Sequence, residues 1–241
     1  MRACTPQVSV IVPSHRPDHV AACLRMVAAQ TYQRVELVLV LHRHAPASLP
    51  PEARRACDEL GARIVPAPTA FTLGQCLNAG IAASRGEVIA RVDDDDVYAP
   101  AYLAEAMDAY LAGKGDVIGK AEQYIYFAAS RELVLRFPGG SQGEGQSYLA
   151  GATLLFSREL GLDPGFRPLQ VNEDMAFLDD CLAVGLRLYA TSRRHFVRRR
   201  YGGTHHTWAP EETFFREGSL TVRRSVEDDS PAGLISLVSG A

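Results

Sequence analysis

Over its first half the chain alternates short β-branched runs with helix-length amphipathic segments, and this restricts it to stacked βαβ units. Val8-Ser-Val-Ile-Val12 is a continuous apolar run stopped by Pro13, the pattern of a strand buried on both faces. Asp18 is placed to cap a helix over 20–30, with Val20, Cys23, Leu24 and Val27 on one side. A second strand follows at 35–41, a helix at 52–60 ended by Gly61, and a short strand at 62–65. A helix over 73–84 stops at Gly86, a fourth strand spans 87–92, and Pro100 opens a helix running to about residue 112. The expected fold class is therefore α/β, a mainly parallel central sheet flanked by helices.

The second half is less regular. Strands are expected at 116–126, 132–137, 153–156 and 187–190, with a Gly-rich loop at 138–145 and a helix at 173–184. Beyond Phe215 the chain turns Ser/Gly-rich and loses its period. These features predict one domain over 1–216 with a mixed C-terminal half, and a mobile tail over 217–241 in which Gly233–Val238 is a candidate docking segment.

A length of 241 residues with 47% apolar composition suffices for a core without disulfides or structural metal. The net charge of −3 argues against a dedicated nucleic-acid binder. Lys114 and Lys120 are the only lysines among 25 basic residues, a bias that suggests a GC-rich genome. Cys4, Cys23, Cys57, Cys76 and Cys181 include no C-x-x-C pair, so buried thiols in a reducing compartment are expected. No apolar run is long enough to span a bilayer, and the first residues lead straight into a strand without a signal-peptide pattern. A cytoplasmic location is the expectation.

Asp93-Asp94-Asp95-Asp96 follows the fourth strand directly. Four adjacent carboxylates repel one another unless a cation offsets them, and hard oxygen donors suit Mg²⁺ or Mn²⁺. An isolated acidic run is more often a solvated turn capping the next helix. Here the strand fixes where the carboxylates point, beyond the carboxyl end of a parallel sheet, where ligands bind. Arg91 reads as a surface partner that neutralises them. Glu173-Asp174 opens a helix, where acids serve as caps; beside a metal–diphosphate site one of them could act as a general base. His205-His206-Thr207-Trp208 is either an exposed loop with one aromatic anchor or a metal ligand beside a sugar-stacking wall. Arg193, Arg194, Arg198, Arg199 and Arg200 form either a solvated charged face or an attractor for a diphosphate or anionic acceptor.

In this order the segments resemble the family-2 glycosyltransferases of the GT-A fold. The likeness runs from Val8-Ser-Val-Ile-Val-Pro-Ser-His-Arg16 through Leu73-Gly-Gln-Cys-Leu-Asn-Ala-Gly80 and residues 83–96. It continues to Gly151-Ala-Thr-Leu-Leu-Phe156, Asn172-Glu-Asp-Met-Ala-Phe-Leu178 and His206-Thr-Trp208. The resemblance implies metal-dependent, inverting transfer from a nucleotide-diphosphate sugar. It matches Asp93 and Asp95 to a D-x-D pattern, Asp95 as the metal ligand with Asp96 in reserve and Asp93 near the ribose or sugar. It matches Asp174 to the base with Glu173 as fallback, and His206 to a metal ligand or diphosphate contact. Pro13, His15 and Arg16 would line the nucleoside pocket, Asn78 would brace it, and Trp208 would contact substrate. Many members carry an Asp pair after the second strand; here stands Leu41-His-Arg-His44, so no base contact carries over. The acceptor could be a polysaccharide, a lipid-linked glycan, a peptide or a natural product. Two alternatives remain: a nucleotidyltransferase, although Pro13-Ser-His-Arg-Pro17 lacks that class's Gly-rich loop, and a non-catalytic nucleotide-sugar-binding module.

Overall fold

The computed structural model describes residues 5–140, 142–202 and 211–239. Its larger sheet is built on β1 (Val8–Ser14), β2 (Val35–His42), β3 (Arg63–Ala67) and β4 (Val88–Arg91), with β1 paired in parallel to both β2 and β4. Alternation sorts their side chains onto two faces. Val8, Val10 and Val12 join Leu37, Leu39 and Leu41 under α1 (Pro17–Ala28) and α2 (Pro51–Leu60). Ile11, Val38 and Val40 face the opposite way, toward α3 (Leu73–Ala83). Each such side chain, fully buried, contributes about 1.5–3 kcal/mol, which is why these strands read as unbroken apolar runs. Gly80 lets α3 lie close to the sheet: a Cβ there would sit 2.6 Å from Ile11 and 2.7 Å from Val40.

Helix starts follow local chemistry. Thr72 and Gln75 form a reciprocal capping box at the head of α3. At α1 the expected Asp18 cap is replaced by an earlier start. Pro17 occupies the first helical turn with its φ already suited to the helix, Arg16 takes the cap position without a side-chain bond, and Asp18 lies inside the first turn.

The stretch expected as one strand over 116–126 is two. β5 (Val97–Tyr98) and α4 (Tyr102–Leu111) lead to β6 (Val117–Gly119), which belongs to the larger sheet. After the chain crosses at Lys120–Glu122, β7 (Gln123–Phe127) pairs with β8 (Glu132–Arg136) in a second sheet. β9 (Leu155–Ser157) then inserts antiparallel between β4 and β6, followed by α5 (Arg158–Leu162), α6 (Glu173–Ala183) and β10 (Leu188–Ala190). The basic run at 198–200 lies in β11 (Phe196–Arg200), which pairs with β5 and β7. The larger sheet runs β10-β6-β9-β4-β1-β2-β3, and the smaller runs β8-β7-β11-β5 with a C-terminal strand, β12 (Leu220–Arg223), beside β8.

The tail differs from expectation. After α7 (Glu212–Arg216), β12 (Leu220–Arg223) pairs with β8, and α8 (Pro231–Ser239) buries Leu234 and Val238 against Tyr124, Tyr126 and Val197. The candidate docking segment at 233–238 falls within α8. The tail looked mobile in sequence because its few apolar residues are spaced by Ser and Gly, yet those residues suffice to cover one face of the smaller sheet. Cys23, Cys57, Cys76 and Cys181 are buried free thiols, and Cys4 lies outside the described residues.

Candidate active site

The aspartate quartet sits where the chain leaves the larger sheet for the smaller. The Val92 N–H donates to the Ile11 carbonyl at 3.1 Å, so the quartet begins level with the end of β1, and β5 starts immediately after it. A cavity of about 370 Å³ opens at this junction. Pro13, His15, Arg16, all four aspartates, Glu173 and Asp174 line it. Side chains 80 positions apart thus meet at one sheet edge because β1, β4 and α6 all end or begin there.

The protein's own cations offset the quartet. Arg91 is buried, contrary to the surface role expected for it: its Nε donates to Asp93 at 3.0 Å and its guanidinium to Glu173 at 2.8 Å. Burial works against the Arg91 cation, but the Asp93 and Glu173 carboxylates more than compensate and raise its pKa. Arg16 donates to both Asp94 and Asp95, to the latter at 2.7 Å, and Ser14 donates to Asp94 at 2.5 Å. Asp96 is buried and accepts the Arg199 N–H at 2.9 Å. Burial, then the neighbouring Asp95 charge, push its pKa well above the usual carboxylate range.

The two acids of α6 are not equivalent. Glu173 is buried against Arg91, and burial raises its pKa. Asp174 is half-buried and lines the cavity, with one oxygen accepting the Met175 N–H at 2.8 Å. Gly151 supports it from behind: a Cβ at that position would lie 2.1 Å from Asp174 Oδ2. On the nucleoside side, burial and the neighbouring Arg16 charge lower the His15 pKa to about 4, so its imidazole is neutral at pH 7. The His15 carbonyl contacts His44 Nε2 at 3.1 Å, tying the β1 loop to the segment after β2.

Asn78 does not line the cavity. Its side chain accepts the Phe166 N–H at 2.9 Å and donates to the Phe166 carbonyl at 2.7 Å, clamping α3 to the loop that precedes α6. His205, His206 and Trp208 lie outside the described residues. The opposite wall includes residues the sequence did not single out: Arg136, Phe137, Tyr148, Phe214 and Phe215. Of this wall only the basic run containing Arg198, Arg199 and Arg200 was visible. Arg136 ends a predicted strand, but nothing local indicates that rings far along the chain enclose it. A second cavity of about 450 Å³ is lined by Glu105, Glu122, Thr191 and Ser192 together with Arg193 and Arg194 of the basic run, and holds none of the aspartates.

The carboxylates of Asp93 and Asp95 are hard donors on the cavity wall, the type that Mg²⁺ or Mn²⁺ takes. Among the described residues no group of three or more His, Cys, Asp or Glu side chains forms a complete ligand set.

Comparisons with known proteins bear on the fold and the family. The chain is 31% identical over 124 residues to the amylovoran biosynthesis glycosyltransferase AmsE of Erwinia amylovora, an alignment covering 51% of this chain and 46% of that protein. The chain thus aligns with about half the length of that curated relative. The crystal structure of S. aureus TarS 1-349 in complex with UDP-GlcNAc superposes with a TM-score of 0.64 at 18% identity, covering 85% of this chain and 62% of that one. The mannosyltransferase PcManGT from Pyrobaculum calidifontis, in complex with GDP-Man and Mn²⁺, gives 0.59 at 15% identity, covering 84% and 59%. These likenesses establish a GT-A type fold. Residues 9–169, which hold β1, the quartet and β9, match glycosyl transferase family 2, and the chain belongs to that family.

Proposed function

We propose that the protein transfers a glycosyl group from a nucleotide-diphosphate sugar to an acceptor nucleophile, with inversion and with the help of a divalent cation. The observation that carries this reading is the single cavity lined by the β1 loop, the aspartate quartet and Asp174. Family membership supports it, as do the UDP-GlcNAc and GDP-Man complexes of the structural neighbours.

Pro13, His15 and Arg16 would contact the nucleoside, with neutral His15 adding no charge there. Asp93 would hold the ribose or sugar. Asp95 would hold Mg²⁺ or Mn²⁺, with His206 as a further ligand; Asp96, buried and bonded to Arg199 N–H, is the less available reserve. When bound, such an ion supplies positive charge where the diphosphate departs. Arg16 and Arg91 hold Asp95 and Asp93 in place before substrate arrives.

Asp174 would take the proton of the acceptor hydroxyl as its oxygen attacks the anomeric carbon. Attack from the face opposite the leaving group inverts that carbon, and no covalent glycosyl-enzyme forms. General-base help of this kind contributes about 10²–10⁴ in rate. Glu173 is held by Arg91 and acts as the support of the site instead of its base.

The test is a panel of UDP- and GDP-sugars with Mg²⁺ or Mn²⁺, read by nucleoside-diphosphate release and by thermal shift. Nucleoside diphosphate is the expected product. Pyrophosphate released from nucleoside triphosphates would favour a nucleotidyltransferase instead. Binding of a nucleotide sugar with neither hydrolysis nor transfer would favour a binding module.

A further inference from the structure

The cavity also holds two cations that the proposed donor chemistry does not use. Arg136, at the end of β8, is only 7% exposed. Its guanidinium lies 4.5 Å from the Phe137 ring centroid, 4.6 Å from that of Phe214 and 5.2 Å from that of Phe215, and it donates to the Phe214 carbonyl at 2.7 Å. Among the described residues it has no carboxylate partner. Arg198, on β11, also lines the cavity and makes no hydrogen bond or ion pair among the described residues. Burial, with a smaller contribution from the Arg198 charge, lowers the Arg136 pKa, and Tyr148 and Glu217 offset this in part. Carboxylates near Arg198 sustain its charge, whereas Arg136 is buried with no carboxylate bonded to it, and an anionic ligand relieves that penalty.

We propose that Arg136 and Arg198 recognise a phosphate or carboxylate carried by the acceptor. This rests on the glycosyl-transfer reading above and names the acceptor's class. The donor diphosphate is the rival anion, and sheet order argues against it. β8 lies three strand spacings from β5, which continues directly from the quartet, so the Arg136 backbone stands roughly 14 Å from the donor edge of the sheet, whereas Arg198 is on the strand next to β5. A diphosphate at the quartet would thus meet Arg198 before Arg136. Arg198 lies between the two regions, within electrostatic reach of Asp174 as well as Asp96. An acceptor whose anionic group rests on this pair therefore presents a nearby hydroxyl to the base. The rings around Arg136 fix its fork, which suits bidentate recognition of an oxyanion.

The experiment uses the full chain saturated with whichever of UDP or GDP binds. Inorganic phosphate and methyl glucuronide are then titrated separately by calorimetry. The nucleotide-loaded protein is expected to bind at least one of them, and Arg136→Gln or Arg198→Gln is expected to weaken that binding about tenfold or more. Arg136→Lys, which keeps the charge but loses the planar fork, is expected to weaken binding less than Arg136→Gln does. Tighter binding of phosphate indicates a phosphorylated acceptor, and tighter binding of glucuronide an acidic sugar. The proposal is overturned if nucleotide saturation abolishes anion binding, because the pair then serves the donor, or if well-folded Arg136→Gln binds both probes as wild type does. If neither UDP nor GDP binds the wild-type protein, the glycosyl-transfer reading fails and the acceptor assignment fails with it.

Discussion

Arg91 shows how one buried side chain organises the site. It bridges Asp93 and Glu173 from a position with almost no solvent access. Arg91→Met would leave a buried carboxylate without its cation, at a cost of about 3–5 kcal/mol. Urea unfolding is expected to show that loss, whereas a surface role would leave the midpoint unchanged. His15 gives a pH signature. Its folded pKa of about 4 lies below the ordinary value of 6.5. Between those values the unfolded chain binds the proton and the folded protein does not, so stability falls as pH drops from about 6.5 toward 4. His42 and His195 are shifted in the same direction, so the test is a difference: His15→Asn is expected to shrink the drop in Tm between pH 7 and pH 5. An unchanged pH slope would contradict the assignment. Sequence could name Arg91 but not its burial, because its second partner lies 82 positions away and only folding brings the two to 2.8 Å.

At the scale of elements, what was legible follows from what each strand faces. β1, β2 and β4 are covered by helices or by neighbouring strands, so their apolar runs are continuous and readable. β11 was not read as a strand because Arg198, Arg199 and Arg200 break the apolar pattern at the cavity wall. β5, only two residues long, is too short to leave a pattern. The close approach of Gly151, in a short 3₁₀ turn over Gly151–Thr153, to Asp174 of α6 leaves no mark in the sequence, since it depends on the absence of a side chain. Gly151→Ala would push Asp174 out of place and is expected to lower transfer about 10²-fold while nucleotide-sugar binding persists. Activity equal to wild type would show that Asp174 needs no such support. α8 offers the corresponding stability test. Leu234 is fully buried, so Leu234→Ala is expected to cost about 3 kcal/mol in a denaturant titration, against no change for a mobile tail.

At the scale of the whole molecule, two sheets meet where β4 passes through the aspartate quartet into β5, and the cavity occupies that junction. The fold class was legible because repeated βαβ units leave few topologies open. The acidic half of the site was legible because it follows a readable strand and opens a readable helix. The arginine–aromatic half was not, because its residues come from three separate elements of the smaller sheet's side of the cavity. Among the described residues no helix is long and apolar enough to cross a membrane. The central claim is that Asp174 acts as base across the cavity from a donor held near Asp95. Its most direct test compares wild-type protein with Asp174→Asn for nucleoside-diphosphate release and for nucleotide-sugar affinity. The account predicts a fall in release of about 10²–10⁴ with affinity retained within about threefold. Equal release by the two proteins would contradict it.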